Sequence, residues 1–344
     1  MTFDSSKKIL VTGGTGFLGT YLLHLLVLKG YNNIYVLKGK NSDTSLLTDI
    51  IDKINFVEGD LLDIGSLENA LSGVKQVYHC AAKVSFDARD AQIVKKVNIN
   101  GTANLVNQCI EEKIEKLVYI SSVAALGRVK HQTMINENTA WQYDSSSSVY
   151  SYAKFFAEQE VWRGMAEGLD VAVLNPSIII GSGLWDKGTC TFFPTIYKGL
   201  KFYPSGSTGF VDVRDVARMA VQLMEGSISN ERFLCNGVNI KYKDFFDKLA
   251  LNLHIKSPTI KVGRRAAIVF ARLDSIRTRI LGKYPLITVE TAKASTSEYN
   301  YDNAKSKNVL AFEYTPFSKT IEETCSQYLQ SLKLKERFAI LPLT

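Results

Sequence analysis

Tyr150 and Lys154 stand four residues apart in a segment whose pattern predicts a helix over 149–167, a spacing that puts both on one face. A phenol beside an ammonium can carry a proton. Tyrosine ordinarily titrates at about 10, too high for ready exchange at neutral pH. A cation at about 4 Å, with an effective dielectric of about 20, is worth roughly 4 kcal/mol, or about three pK units. Ser122 follows an apolar run over 117–120 and can hydrogen-bond a substrate oxygen beside the phenol, sharing the charge that develops there. The expected roles are Tyr150 as general acid or base, Lys154 as its activator and a ribose ligand, and Ser122 as orienter. Spacing alone does not decide this. Tyr301 and Lys305 repeat it, but they follow no strand end, have no upstream serine, and read as surface structure.

A second group of residues suits a phosphate. Val11-Thr12-Gly13-Gly14-Thr15-Gly16-Phe17-Leu18-Gly19 lies between an apolar run, Ile9-Leu10-Val11, and a stretch with leucines at helical spacing. A tight strand-to-helix turn there aims free N–H groups and the helix dipole at one spot, which fits a pyrophosphate. A side chain on Gly13 would crowd the turn, one on Gly16 would block the phosphate, and one on Gly19 would push the helix off the sheet. No Gly-Lys-Ser/Thr ends the motif, so it is not a nucleoside-triphosphate loop.

The elements that must position these groups alternate. Strand-like runs occur at 34–37, 54–57, 76–80, 117–120 and 171–174, with helical patterns between them, notably 93–112 and 149–167. The alternation predicts an α/β fold: a doubly wound parallel sheet of Rossmann type with helices on both faces. Ligands then bind beyond the carboxyl ends of the strands. After the second strand come Lys38 and Lys40, with no acid before Asp43, which suits the 2′-phosphate of NADP better than the free hydroxyl of NAD. Asp60, after the third, can accept from an adenine amino group or cap a helix from Ile64. Ala81 and Ala82, after the fourth, leave room for a flat cofactor. Pro176 and Ser177 follow the sixth.

Composition sets the outer limits. The chain has 344 residues, 46% hydrophobic and 22% charged, as ordinary globular proteins have. Its net charge of +7 comes without a basic block and does not argue for nucleic acid, though it can help draw in an anionic cofactor. Five scattered cysteines, Cys80, Cys109, Cys190, Cys235 and Cys325, argue against disulfides or a zinc site and for a reducing cytoplasm. The polar start, Met1 to Lys8, is no signal peptide, and no apolar run approaches a membrane span. One short low-complexity patch occurs at Ser145 to Ser148.

With these motifs in this order, the chain resembles the extended short-chain dehydrogenase/reductase superfamily over nearly its full length. The carriers are Thr12 to Gly19, Gly59-Asp60-Leu61, His79 to Ala82, Asn98 to Thr102, Ser121-Ser122, Tyr150-x-x-x-Lys154, Asn175-Pro176-Ser177 and Phe210 to Ala217. The resemblance implies Gly13, Gly16, Phe17, Leu18 and Gly19, with Thr15 in the same turn, around the pyrophosphate. It implies Asp60 and Leu61 on the adenine, Ala81, Ala82, Pro176 and Ser177 on the cofactor side, and Ser122, Tyr150 and Lys154 as the catalytic trio. His79 and Asn98 would be scaffold, and Asp212 with Arg214 would tie a substrate lobe to the sheet. The tract Leu37 to Asp43 looks like dihydroflavonol-reductase-like and 3β-hydroxysteroid-dehydrogenase-like members. Leu126-Gly127 replaces the Tyr-Gly common in epimerases, and Val123 and Ala124 stand where sugar-nucleotide dehydratases carry acids.

The expected domains are a dinucleotide-binding unit over 1–182, also receiving 208–240, and a smaller C-terminal α/β substrate lobe over 183–207 and 241–344. Phe192, Phe193, Tyr197, Phe202, Tyr203 and Phe210 suit either an apolar substrate pocket or lobe packing. Segment 264–283 pairs an apolar face with a cationic one. It suits the lobe core, a lipophilic pocket's cover or an anionic membrane surface. Phe338-Ala339-Ile340-Leu341 is apolar enough to dock. The expected activity is hydride transfer between NADP or NAD and a ketone or secondary alcohol. The alternatives are a sugar-nucleotide epimerase with tightly held NAD and a non-catalytic dinucleotide-binding protein. The resemblance also implies a homodimer through the helices before and at Tyr150.

Overall fold

A computed structural model describes residues 5–127, 134–142, 148–282, 284–285 and 287–343. Met1 to Asp4, Ser145 to Ser147 and Lys283, used above, lie outside the described residues.

The first half runs β1 (Ile9–Thr12), α1 (Phe17–Leu28), β2 (Ile34–Lys38), β3 (Asn55–Glu58), α2 (Ile64–Leu71) and β4 (Gln76–His79). Then come α3 (Ala91–Lys95), a π-helical turn (Lys96–Asn100), α4 (Gly101–Glu111), β5 (Lys116–Ile120), α5 (Val149–Ala166) and β6 (Val171–Pro176). The second half runs β7 (Ile178–Ile180), α6 (Phe192–Tyr197), β8 (Phe202–Pro204), β9 (Ser207–Asp212), α7 (Val213–Glu225), β10 (Glu231–Cys235) and β11 (Val238–Lys241). It continues with α8 (Tyr242–Asn252), β12 (Ile260–Val262), α9 (Arg264–Ile280), α10 (Val289–Ser295), α11 (Ala304–Leu310) and α12 (Phe317–Leu334).

Seven parallel strands form the main sheet in the order β10-β6-β5-β4-β1-β2-β3. The order reverses at β1, so the crevice for a ligand opens between the ends of β1 and β4. Both faces are covered, which is why the strands read as continuous apolar runs. Ile9 and Val11 point into the core beneath α1 and α7, whereas Leu10 points into the core beneath α2, α4 and α5.

Two boundaries differ from the expected ones. β7 and β9 join β11 in a separate three-stranded sheet rather than the main one. From the 208–240 segment, α7 and β10 complete the large unit, and Val211 of β9 packs into its core. The reason is local: Ser177 donates its N–H to the Cys235 carbonyl, and beyond that point the chain leaves β10 and pairs with β9 instead.

Lobe packing accounts for Phe192, Phe193, Tyr203 and Phe210, whereas Tyr197 and Phe202 are exposed. Phe193, Phe210, Phe245 and Tyr242 are buried together, with Phe210 and Phe245 rings 4.4 Å apart, so they form the lobe core rather than a pocket lining. The Arg214 guanidinium grips Asp212 through two nitrogens and reaches Glu323 of α12 at 2.7 Å. Burial works against that charge, but the two carboxylates outweigh it and raise the guanidinium above its ordinary value. The C-terminal segment docks as well: Leu341 is buried and donates its N–H to Tyr21 Oη at 2.8 Å.

Candidate active site

The glycine turn closes as its sequence demands. Gly13 has φ +71°, which favours glycine, and a Cβ there would come within 2.5 Å of the Ala81 nitrogen. A Cβ on Gly19 would overlap the Gly13 carbonyl, so α1 lies too close to the turn for any side chain. Gly16 differs. Its Cβ would meet only the Gly13 oxygen, at 3.2 Å, and otherwise open space. The turn therefore leaves a cradle above Gly16, before the N–H groups that open α1. Ser177 Oγ, at the end of β6, is buried without a partner among the described residues. A cradle over free donors and an orphaned hydroxyl fit a dinucleotide.

Some expected cofactor residues have other duties. The Phe17 ring packs edge-on to Tyr21, 5.9 Å between centroids, and a Cβ on Gly183 would come within 2.9 Å of it, so the ring binds α1 to the lobe. Leu18 and Leu61 are buried, the latter against Gly101. Asp60 does not cap α2; its Oδ1 accepts from the Leu62 N–H at 2.9 Å. Lys38 ends β2 with its ammonium 5.8 Å from the Phe56 ring centroid. Glu58 is its register partner across β3, yet no ion pair joins them among the described residues. Thr15 is half-buried and Ala82 exposed at the rim.

His79 holds the crevice together. Its Nδ1 lies 2.7 Å from Thr12 Oγ1 and its Nε2 3.0 Å from Thr102 Oγ1, joining the ends of β1 and β4 to α4. Burial, reinforced by the Lys154 charge, pushes its imidazolium down to about 3. Asn98 exchanges two hydrogen bonds with the Lys83 backbone. Both are scaffold.

Ser122 lies two residues past β5 and caps the short turn Val123–Ala125, accepting from the Ala124 N–H at 3.1 Å. Tyr150 lies in the first turn of α5, which Ser148 caps by accepting from the Ser151 N–H. The Ser122 side chain acts to lower the Tyr150 phenol, and the Phe86 ring stands 5.4 Å from the Tyr150 ring.

Lys154 differs from its expected arrangement. It is 2% exposed and donates to Tyr119 Oη at 3.0 Å and to the Ile120 carbonyl at 2.7 Å. Burial holds its ammonium down to about 8, against the opposing pull of the Glu158 carboxylate. Burial also raises the Tyr150 phenol, and the Ser122 side chain only partly offsets this. The expected lowering of the phenol by Lys154 is therefore not found in this structure; desolvation outweighs it.

Two residues were missed from sequence. Tyr119 supplies the acceptor for Lys154. Glu158, four residues after Lys154 and buried, accepts from Ser121 Oγ at 2.6 Å and Asn175 Nδ2 at 2.8 Å, and pairs with Arg232 at 3.0 Å. Asn175 also donates to the Ser122 carbonyl, so this carboxylate braces the strand end that carries the serine. The i+4 spacing from Lys154 was the available signal. The other tyrosine–lysine pair is not a surface helix motif: Tyr301 is buried and precedes α11, and Lys305 bonds Glu231 and the Arg232 carbonyl.

Residues 9–235 match the profile of the NAD dependent epimerase/dehydratase family. The chain belongs to that family. Within it, the chain is similar to cinnamoyl-CoA reductase 1 of Petunia hybrida, 26% identical over 93% of this chain and 91% of the relative. It is also similar to sterol demethylase protein B of Methylococcus capsulatus, 31% identical over 66% of this chain and 69% of the relative. Among solved structures, that of gox2253 superposes with a TM-score of 0.80 at 28% identity, covering 94% of this chain and 98% of the other. This family member is an enzyme, and its family uses a nicotinamide dinucleotide.

Proposed function

We propose that the chain is an NAD(P)-dependent reductase or dehydrogenase of a ketone or secondary alcohol, with Tyr150 as its proton carrier. The observation that supports this reading is that Ser122, just past β5, and Tyr150, in the first turn of α5, lie together at the carboxyl edge of the parallel sheet, where the serine acts on the phenol. When bound, the nicotinamide supplies or accepts the hydride. Gly13, Gly16 and Gly19 shape the cradle for its pyrophosphate, and the α1 N–H groups face it. Ser122 holds the substrate oxygen beside the phenol. The phenol, protonated at neutral pH and held so by burial, is poised to give a proton to an alkoxide as it forms. Lys154 supplies positive charge from beneath through a fixed anchor on β5. Val123 and Ala124, at the positions where the resembled dehydratases carry acids, disfavour elimination chemistry.

NADP is the proposed cofactor, because Lys38 and Lys40 follow β2 without an acid before Asp43. The test is a carbonyl panel with NADPH and with NADH, followed at the nicotinamide absorbance. Steady coenzyme consumption is expected with at least one ketone or aldehyde. A dinucleotide that co-purifies and never exchanges would replace this reading with an epimerase. Binding without turnover across the panel would replace it with a non-catalytic binder.

A further inference from the structure

Helix α9 is packed the wrong way round for a core helix. Its buried residues are Ala267, Ala271, Asp274 and Thr278, which recur every three or four positions and so form one narrow face of small side chains. Through that face it rests on Ala292 of α10, with Val262, Ile268, Ile287 and Val289 around the contact. The large apolar residues are elsewhere. Val269, Phe270, Leu273, Ile276 and Ile280 are each more than half exposed, Ile280 at 81%. At 100° per residue these five fall within one arc centred on Leu273, and the buried face lies well away from it.

Five arginines share the helix: Arg264, Arg265, Arg272, Arg277 and Arg279, all exposed. Arg265, Arg272 and Arg279 line one flank of the apolar arc, and Arg277, held by Asp274, falls within it about 40° from Leu273. The helix has one acid, Asp274, and it is buried and bound to Arg277 at 2.7 Å. No helix among the described residues is long and apolar enough to cross a membrane. We infer that α9 is a membrane-surface helix, seating its Leu273-centred apolar arc among the acyl chains of an anionic bilayer with its arginines at the phosphates.

The charge selects the occupant. A bilayer rich in phosphatidylglycerol or phosphatidylserine offers apolar depth and negative charge together, as an interfacial amphipathic helix requires. A second copy of the chain does not, because a two-fold contact through this face would bring two sets of arginines together without exposed acids between them. Just past α9, Tyr284 is exposed, with the Arg89 guanidinium 4.6 Å from its ring centroid. Arg89 belongs to the same loop as Phe86, whose ring lies against Tyr150. Lipid attachment would thus touch the segment flanking the candidate site, although the inference itself needs no assumption about catalysis.

The experiment is flotation of the full chain with vesicles of phosphatidylcholine alone and of phosphatidylcholine with about one-third phosphatidylglycerol. The floated fraction is expected to be about tenfold greater with the anionic vesicles, and to fall on adding salt. The double substitution Leu273→Glu and Ile276→Glu alters two exposed side chains and is expected to abolish flotation while the thermal midpoint stays in place. Arg265→Gln with Arg272→Gln removes two cations that have no hydrogen-bond or ion-pair partner among the described residues, and is expected to weaken flotation severalfold. This pair decides the matter alone should the first variant unfold. Absence of wild-type flotation with anionic vesicles at low salt overturns the inference. So does flotation that neither pair of substitutions alters. A dimer in light scattering that Leu273→Glu dissociates overturns it too, and assigns the face to a second copy.

Discussion

The Lys154 ammonium lies 3.0 Å from the Tyr119 hydroxyl, and this contact fixes a buried cation to the strand that leads to Ser122. Replacing Tyr119 with Phe keeps the ring 4.6 Å from the ammonium but leaves it the Ile120 carbonyl as its hydrogen-bond acceptor. A hydrogen bond to a charged group contributes roughly 1.5–3 kcal/mol, so the charged form should lose ground and Lys154 should titrate below its present value of about 8. His79, Cys80 and Glu158 also act on this charge and remain in place. The alkaline limb of kcat/KM should therefore move to lower pH in Tyr119→Phe. A lowered rate with an unmoved limb would reduce Tyr119 to a packing residue.

Tyr150→Phe removes the proposed proton carrier and keeps the ring against Phe86. Turnover should fall about 10²-fold or more, with coenzyme affinity changed little. Fluorescence titration alongside initial rates separates the two. Activity near that of the wild type would reject the assignment.

Lys38→Asp should raise the Kd for NADPH far more than that for NADH, roughly tenfold or more, because the carboxylate would face the 2′-phosphate and leave a 2′-hydroxyl an acceptor. Glu58, already opposite in the register, would add to the repulsion. Equal changes for both coenzymes would remove the argument for NADP.

Buried His79 makes acid costly. Its folded value is about 3 against an ordinary 6.5, mainly through burial, so the unfolded chain binds the extra proton between those values. The stability contribution is complete above pH 6.5 and is lost as pH falls toward about 3, amounting to about a few kcal/mol. Lys154 has the opposite placement on the scale. Stability should rise with pH from about 8 toward 10.5, where only the unfolded chain holds the proton. Urea midpoints measured across the acid range should slope less in His79→Gln than in the wild type. Parallel slopes would assign the acid sensitivity to other groups.

The parallel sheet was legible because strands covered on both faces are apolar throughout, and β1, β5 and β6 are buried along their whole length. The glycine turn was legible because φ and close approach restrict residue type at Gly13 and Gly19. The partners of Lys154 were not. Which neighbour a lysine contacts depends on how α5 lies across β5, and spacing within one helix carries no such information. Residues 178–180 fell inside the expected 1–182 unit because a three-residue strand has too little pattern to declare a second sheet. Helix α9 was recognised as two-faced, but periodicity cannot say which face touches protein. Alanines set the close approach to α10, and the leucine and isoleucines were turned outward.

Tyr21 is a residue of the first helix, and its hydroxyl receives the Leu341 N–H across 320 positions of chain while donating to the Ser182 carbonyl at 2.8 Å. The helix that opens from the glycine turn thus completes its contacts only when a residue 320 positions further along the chain is in place. Until residue 341 arrives, that hydroxyl lacks a donor that native packing supplies. Leu341 and the first helix are consequently coupled in folding, and loosening the segment around Leu341 should loosen α1 as well.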